Sequence, residues 1–289
     1  MSLAGIETLG VVGAGQMGGG IARTAAEKGC RVLLSDLDLE AAQRGRDKIG
    51  RSLARGVAKG KVTQEHVDAT LDRLVPVGYL AALGEAGLII EAASEDIDLK
   101  LSLFEKLDAV CPPGVILATN TSSISITRIA AVTDRPAEVI GMHFMNPVHV
   151  MKLVEVIKGL RTSNETVATT VALAESLGKV CVEARDFPGF AVNRILMPMI
   201  NEAFYALYEG IADAEGIDNA MKLGTNQPMG PLALADFIGL DTCLAIMEVL
   251  HEGFGDTKYR PCPLLRKYVE AGTLGQKTGL GVYGYEGGR

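Results

Sequence analysis

Two sets of residues in this chain have the types and spacing to share one piece of chemistry. The first is Gly13-Ala14-Gly15-Gln16-Met17-Gly18, which follows the apolar run Leu9-Gly10-Val11-Val12. Gly13 permits a tight turn, Gly15 lets a bound group approach the backbone, and Gly18 lets helix and strand pack closely. The helix start adds unpaired N–H groups and a positive dipole end, which suit a pyrophosphate. Asp36 closes the next apolar run, Val32-Leu33-Leu34, at the distance where a carboxylate meets the ribose diol of a dinucleotide. Leu37 and Asp38 follow it, so a second phosphate would face two carboxylates and NAD is preferred over NADP. The plain alternative is an ordinary strand-turn-helix with Asp36 as a surface acid.

The second set is His143 and Glu155. An acid inside the apolar run Leu153-Val154-Glu155-Val156-Ile157 is costly unless it is paired or wet. Edge exposure is one account. Pairing with His143 across a sheet is the other, because a carboxylate fixes the imidazole tautomer and stabilises the cation it forms. A base beside a nicotinamide is what alcohol oxidation needs, since the hydroxyl loses its proton as its carbon loses hydride. Ser122, in Asn120-Thr121-Ser122-Ser123, lacks a GxSxG elbow and reads as a hydrogen-bond donor, or as a turn or cap residue. No HxH, HExxH or Cys/His pair suggests a metal.

The elements that position these residues follow from apolar periodicity. Strand-like runs at 8–12, 31–36, 88–92, 115–119, 139–143, 154–157 and 180–183 alternate with helical segments, which predicts a doubly wound, mainly parallel sheet. Ligands of such sheets bind outside the carboxyl ends of the strands. Those ends carry Glu91, Ser94, Glu95 and Asp96 with Lys100 a turn later, then Asn120 to Ser123, then His143-Phe144-Met145-Asn146-Pro147. The breaker cluster Asp186-Phe187-Pro188-Gly189-Phe190 ends the pattern. Beyond it, 190–209, 213–223, 232–251 and 264–270 read as helices, with Pro198 expected to kink the first. Lys48, Arg51, Arg55 and Lys59 form one helical stripe, either a solvated face or a clamp for a phosphorylated handle.

The formal charge of −7 disfavours nucleic-acid and membrane-surface partners, and no apolar run is long enough to span a bilayer. Five scattered cysteines without CxxC, and no basic-then-apolar leader, point to reduced thiols and a cytoplasmic location.

Taken with Met151-Lys152-Leu153-Val154-Glu155, Pro188-Gly189-Phe190-Ala191-Val192-Asn193-Arg194 and Gly239-Leu240-Asp241, these motifs resemble the L-3-hydroxyacyl-CoA dehydrogenases, most closely the bacterial 3-hydroxybutyryl-CoA group, over essentially the whole chain. The resemblance implies a Rossmann-type NAD-binding domain over 1–187, with a basic helical hairpin near 38–72. It also implies a smaller all-helical substrate and dimerisation domain over 188–289. The implied activity is NAD-linked interconversion of (S)-3-hydroxyacyl-CoA and 3-oxoacyl-CoA, with acyl-CoA as partner substrate and a homodimer as the assembly. The implied base is His143, oriented by Glu155, with Ser122 and Asn193 on the substrate. Cofactor contacts fall on the glycine turn (Gly13, Ala14, Gly15, Gln16, Met17, Gly18), Asp36, Glu95, Lys100, Asn120, Ser122, Asn146 and Lys277, and CoA contacts on Ser52 and Lys59. Two other readings stay open: a dehydrogenase of the same architecture acting on a free hydroxy or sugar acid, and a non-catalytic NAD-binding structural or sensor protein.

Overall fold

The computed structural model describes residues 3–285; the outermost residues of the two expected domains, 1–2 and 286–289, lie outside them. The chain divides into two compact units between Phe187 and Pro188. The first runs β1 (Thr8–Val12), α1 (Gln16–Glu27), β2 (Arg31–Ser35), α2 (Leu39–Ala58), α3 (Gln64–Asp72), β3 (Leu74–Val77) and β4 (Leu88–Glu91). It continues through α4 (Ile97–Val110), β5 (Ile116–Thr119), α5 (Ile126–Ala130), β6 (Val139–Phe144), β7 (Leu153–Lys158), α6 (Asn164–Ser176) and β8 (Val180–Arg185).

The strands form one sheet in the order β3-β2-β1-β4-β5-β6-β7-β8. Every neighbouring pair is parallel except β6 with β7. Val32, Leu34, Leu88 and Ile90 pack one face against Ile21 and Ala25 of α1, while Leu33, Ile89 and Leu117, of the opposite parity, are buried too. Burial on both faces is why these strands read as continuous apolar runs without alternation. Polar side chains start the flanking helices: Asp38 accepts from Ala41 N–H at α2, and Asp96 from Leu99 N–H at α4. Asp38 is thus an N-cap as well as a second acid after β2.

One strand escapes the sequence pattern. β3 contains Pro76, which reads as a breaker, yet β3 is an edge strand paired only with β2, where a missing N–H leaves no ladder bond unmade. At the other end β7 is internal, between β6 and β8, so edge exposure of Glu155 is excluded; its side chain is buried.

The second unit contains α7 (Val192–Tyr208), α8 (Ala214–Thr225), α9 (Pro231–Ile238), α10 (Leu240–Phe254) and α11 (Pro263–Glu270) around its own core of Met197, Phe204, Leu232, Leu240 and Leu250. The segment expected as one helix over 232–251 is two, because Gly239 sits at φ 106°, which no α-helix can continue through. The helix assignment of α7 runs unbroken across Pro198. No helix among the described residues is long and apolar enough to cross a membrane. The five cysteines are free, and burial pushes the Cys243 thiol up to about 12, so it carries no thiolate at neutral pH.

Two buried carboxylates strap the end of the chain to this unit. Asp218 accepts from Leu232 N–H, Ala233 N–H and the Tyr283 hydroxyl. Asp236 accepts from Val282 N–H, Tyr283 N–H and the Tyr285 hydroxyl. Burial and the bond to Asp236 push the Tyr285 hydroxyl up to about 12, so the strap keeps this proton through neutral pH and loses it only in strong alkali. Asp236→Ala strands three half-buried donors. It is expected to destabilise the unit by about 3 kcal/mol, at roughly 1 kcal/mol or more per donor. Calorimetry checks this as an earlier melting transition; an unmoved transition would refute it.

Candidate active site

The glycine turn is shaped by contacts that exclude side chains at two positions and welcome a ligand at the third. Gly13 has φ 97°, and a methyl group there would lie 2.6 Å from the Ala92 carbonyl oxygen. At Gly18 a methyl would overlap the carbonyl of Gly13 itself. At Gly15 it would meet nothing within 4 Å, so open space lies over the start of α1. Asp36 is tied to this turn: its Oδ2 accepts from Ala14 N–H at 2.6 Å and its Oδ1 from Leu37 N–H at 2.8 Å. The open cradle, the free helix start and the adjacent carboxylate fit a dinucleotide with an unphosphorylated adenine ribose. Met17 is partly buried against the core. Gln16 Nε2 donates to Asn146 Oδ1 at 3.0 Å, which joins the turn to the segment after β6.

The antiparallel β6–β7 register puts Glu155 directly opposite His143. Their side chains meet with Nδ1 2.8 Å from Oε2, the imidazole almost fully buried and the carboxylate 0% exposed. With Nδ1 engaged by the acid, Nε2 is the ring nitrogen suited to take a proton from a substrate.

Beside this pair, the β5 end carries the Ser122 loop. Asn120 Oδ1 accepts from Phe144 N–H at 2.9 Å, so Asn120 binds the strand that bears His143. Glu95 gathers the loop: one carboxylate oxygen accepts from Thr121 Oγ1, Ser122 N–H, Ser123 N–H and Ser123 Oγ at 2.6–3.0 Å. Lys100, expected among the cofactor contacts, lies beside Glu91 and Glu95. It is 1% exposed, with Nζ 2.7 Å from Glu91 and 3.6 Å from Glu95, because the interior can hold its charge only against carboxylates. Glu91, which ends an apolar strand, carried no expected role; its only signal in the sequence was that position.

A cavity of about 350 Å³ opens on α2 and is lined by Arg23, Ser52, Arg55, Lys59, Lys61 and His149 among others. Four of these side chains are basic, and the Arg23 guanidinium donates to Ser52 Oγ at 3.4 Å. The expected pair Ser52 and Lys59 is therefore brought together with Arg55. Lys48 and Arg51, from the same stripe, do not line the cavity. Arg23 on α1 and His149 after β6 escaped the reading because they reach the cavity from distant sequence. Burial and the Arg23 charge hold His149 below the ordinary histidine range.

In the second unit, Asn193 is buried in the first turn of α7. The next residue, Arg194, lies 3.8 Å from the Phe254 ring centroid and 4.6 Å from that of Tyr259, which clamps that turn. Lys277 is ion-paired with Asp241. Among the described residues no group of three His, Cys, Asp or Glu side chains could hold a metal ion.

Comparison with known proteins extends over both units. Residues 8–187 match the family model for the 3-hydroxyacyl-CoA dehydrogenase NAD binding domain, and residues 189–285 that for the 3-hydroxyacyl-CoA dehydrogenase C-terminal domain. A probable 3-hydroxybutyryl-CoA dehydrogenase of Bacillus subtilis is 59% identical, over 97% of this chain and 98% of that protein. A 3-hydroxybutyryl-CoA dehydrogenase of Bradyrhizobium diazoefficiens is 54% identical, over 98% and 97%. The crystal structure of (S)-3-hydroxybutyryl-CoA dehydrogenase from Ralstonia eutropha superposes with a TM-score of 0.95 at 51% identity, covering 97% of this chain and 99% of that one. A glycine cradle, a buried histidine–glutamate pair and a cationic cavity thus sit in a chain whose two units both match one family, and the chain belongs to the 3-hydroxyacyl-CoA dehydrogenases.

Proposed function

We propose that the protein is an NAD-dependent oxidoreductase interconverting (S)-3-hydroxyacyl-CoA, chiefly the short-chain 3-hydroxybutyryl-CoA, and the corresponding 3-oxoacyl-CoA. The observation that carries this reading is the buried His143–Glu155 pair, in the same sheet as the strand that leads into the glycine turn. Bound NAD supplies the acceptor for the hydride leaving C3. The glycine turn would hold its pyrophosphate and Asp36 its ribose, and Glu95, Lys100, Asn120, Ser122, Asn146 and Lys277 would serve its nicotinamide side. His143 takes the 3-hydroxyl proton in oxidation and returns it to the ketone in reduction. Glu155 holds the ring and balances the imidazolium. Ser122 and Asn193 are the residues assigned to the substrate oxygens.

The cationic cavity supports a CoA thioester over a free hydroxy or sugar acid, which has no phosphates to offer Arg23, Arg55, Lys59 and Lys61. A catalytically complete set of groups argues against a sensor without turnover. Exposed Ile195, Leu223 and Phe237 on the helical unit support a homodimer through that unit, and the five free cysteines support a cytoplasmic setting.

Three measurements test this. NADH oxidation is expected with acetoacetyl-CoA, with a KM roughly tenfold higher for the acetoacetyl-pantetheine thioester and no turnover of acetoacetate. Turnover of the free acid at a comparable rate would transfer the protein to the rival class. His143→Gln is expected to bind NADH normally while kcat falls by about 10²–10⁴; near-normal turnover would remove His143 as the base. Gly15→Ala meets no protein atom, so its melting temperature is expected to stay put while its KM for NADH rises about tenfold. An unchanged KM would show that no pyrophosphate crosses this turn.

A further inference from the structure

We propose that His149 is a phosphate-binding residue of the cationic cavity, taking up a proton as the phosphates of CoA enter, so that affinity for CoA rises as the pH falls. The proposal rests on the reading of that cavity as the CoA site, and it adds a group that the stripe on α2 does not contain.

The backbone puts His149 there. The Pro147 carbonyl accepts from Val150 N–H at 3.0 Å and from Met151 N–H at 2.9 Å, which curls the segment after β6 into a tight turn. Lys179, just before β8, donates from Nζ to the Val148 carbonyl and, at 2.9 Å, to the Met151 carbonyl. Val148 is buried and lies on α1 at Gly20, where an added methyl would come within 2.9 Å of its side chain. Gly20 therefore admits the turn, and Arg23 follows three residues later on the same helix face. His149 is exposed at the edge of the cavity that Arg23, Ser52, Arg55, Lys59 and Lys61 also line.

Neighbouring charges decide when His149 can be a cation. Arg23 and Glu27 face it from α1, Arg55 and Lys59 from the end of α2, Lys61 from the turn beyond, and Lys179 from beside β8. Glu27 is the one acid among these, and it is already shared. Its Oε1 lies 3.0 Å from Arg23 Nε and 3.7 Å from Nε2 of His66 on α3. Partial burial and the Arg23 charge hold His149 below the ordinary histidine range, so it is neutral at neutral pH before substrate arrives. An incoming phosphate reverses that balance. It offsets the surrounding cations and is an acceptor that imidazolium binds more strongly than imidazole does. A proton taken up on binding means that affinity increases as pH falls, and levels off once His149 is already protonated in the free protein.

Calorimetric titration with CoA, at constant ionic strength in two buffers of different ionisation enthalpy, reads affinity and proton uptake together. CoA without an acyl group offers His143 no carbonyl, and titration of its phosphomonoester is common to all variants and cancels between them. The ratio of Kd for His149→Gln to that for wild type is expected to climb from about one at about pH 8 to about ten at about pH 6, with less proton uptake in the variant. His149→Arg, a permanent cation, is expected to bind CoA more tightly than wild type at the higher pH and to flatten the ratio. With 3′-dephospho-CoA, retained uptake assigns the pyrophosphate as the partner and lost uptake the 3′-phosphate. Equal pH profiles and equal uptake in wild type and His149→Gln would overturn the proposal while leaving the cavity as the CoA site. Lys59→Ala tests the underlying reading separately: undiminished affinity for CoA in that variant would remove the cavity as the CoA site, and the proposal with it.

Discussion

The site depends on the single antiparallel pairing in an otherwise parallel sheet. Parallel neighbours bring the same ends of strands together, which is how the glycine turn, Glu91 and Asn120 come to one edge of the first unit. The reversal between β6 and β7 then sets the buried Glu155 directly against His143. A one-residue slip in that register would move both side chains out of opposition. The cost of burying Glu155 is offset because the pairing leaves it next to an imidazole that can be charged.

Buried carboxylates are used in two ways here. In the helical unit Asp218 and Asp236 hold backbone N–H groups and tyrosine hydroxyls, a local strapping of the chain end. In the first unit Glu91 and Glu155 face ionisable partners, a lysine and a histidine. The difference is physical: neutral donors lock a conformation, whereas a charged or chargeable partner ties the carboxylate to a network whose protons and positions matter to chemistry.

Much of the first unit was legible. Strands buried on both faces appear as apolar runs whatever their order, and the glycine spacing before Asp36 reports a backbone shape that only glycine tolerates. The legible part of the site was its list of strand-end residues. What stayed hidden had identifiable causes. Pro76 concealed β3 because tolerance of proline depends on being at an edge, which is a property of the sheet. Gly239 split one apolar helical pattern into α9 and α10 because periodicity is blind to the sign of φ. The ion pair of Lys100 with Glu91 was hidden because a lysine one turn past a strand carries no mark of its own burial.

The sequence by itself determined the local terms: which segments are strand or helix, where the glycine turn and Asp36 fall, and which residues could act as acid, base or cation. Tertiary structure decided which of them meet. It set Glu155 in the interior against His143, turned Lys100 inward onto Glu91, and gathered Arg23, Ser52 and Lys59 around one cavity while leaving Lys48 and Arg51 outside it. Turn chemistry and periodicity act over a few residues and are written locally. Register, burial and the convergence of charges are set by strands and helices far apart in the chain, and only packing brings them within hydrogen-bond distance.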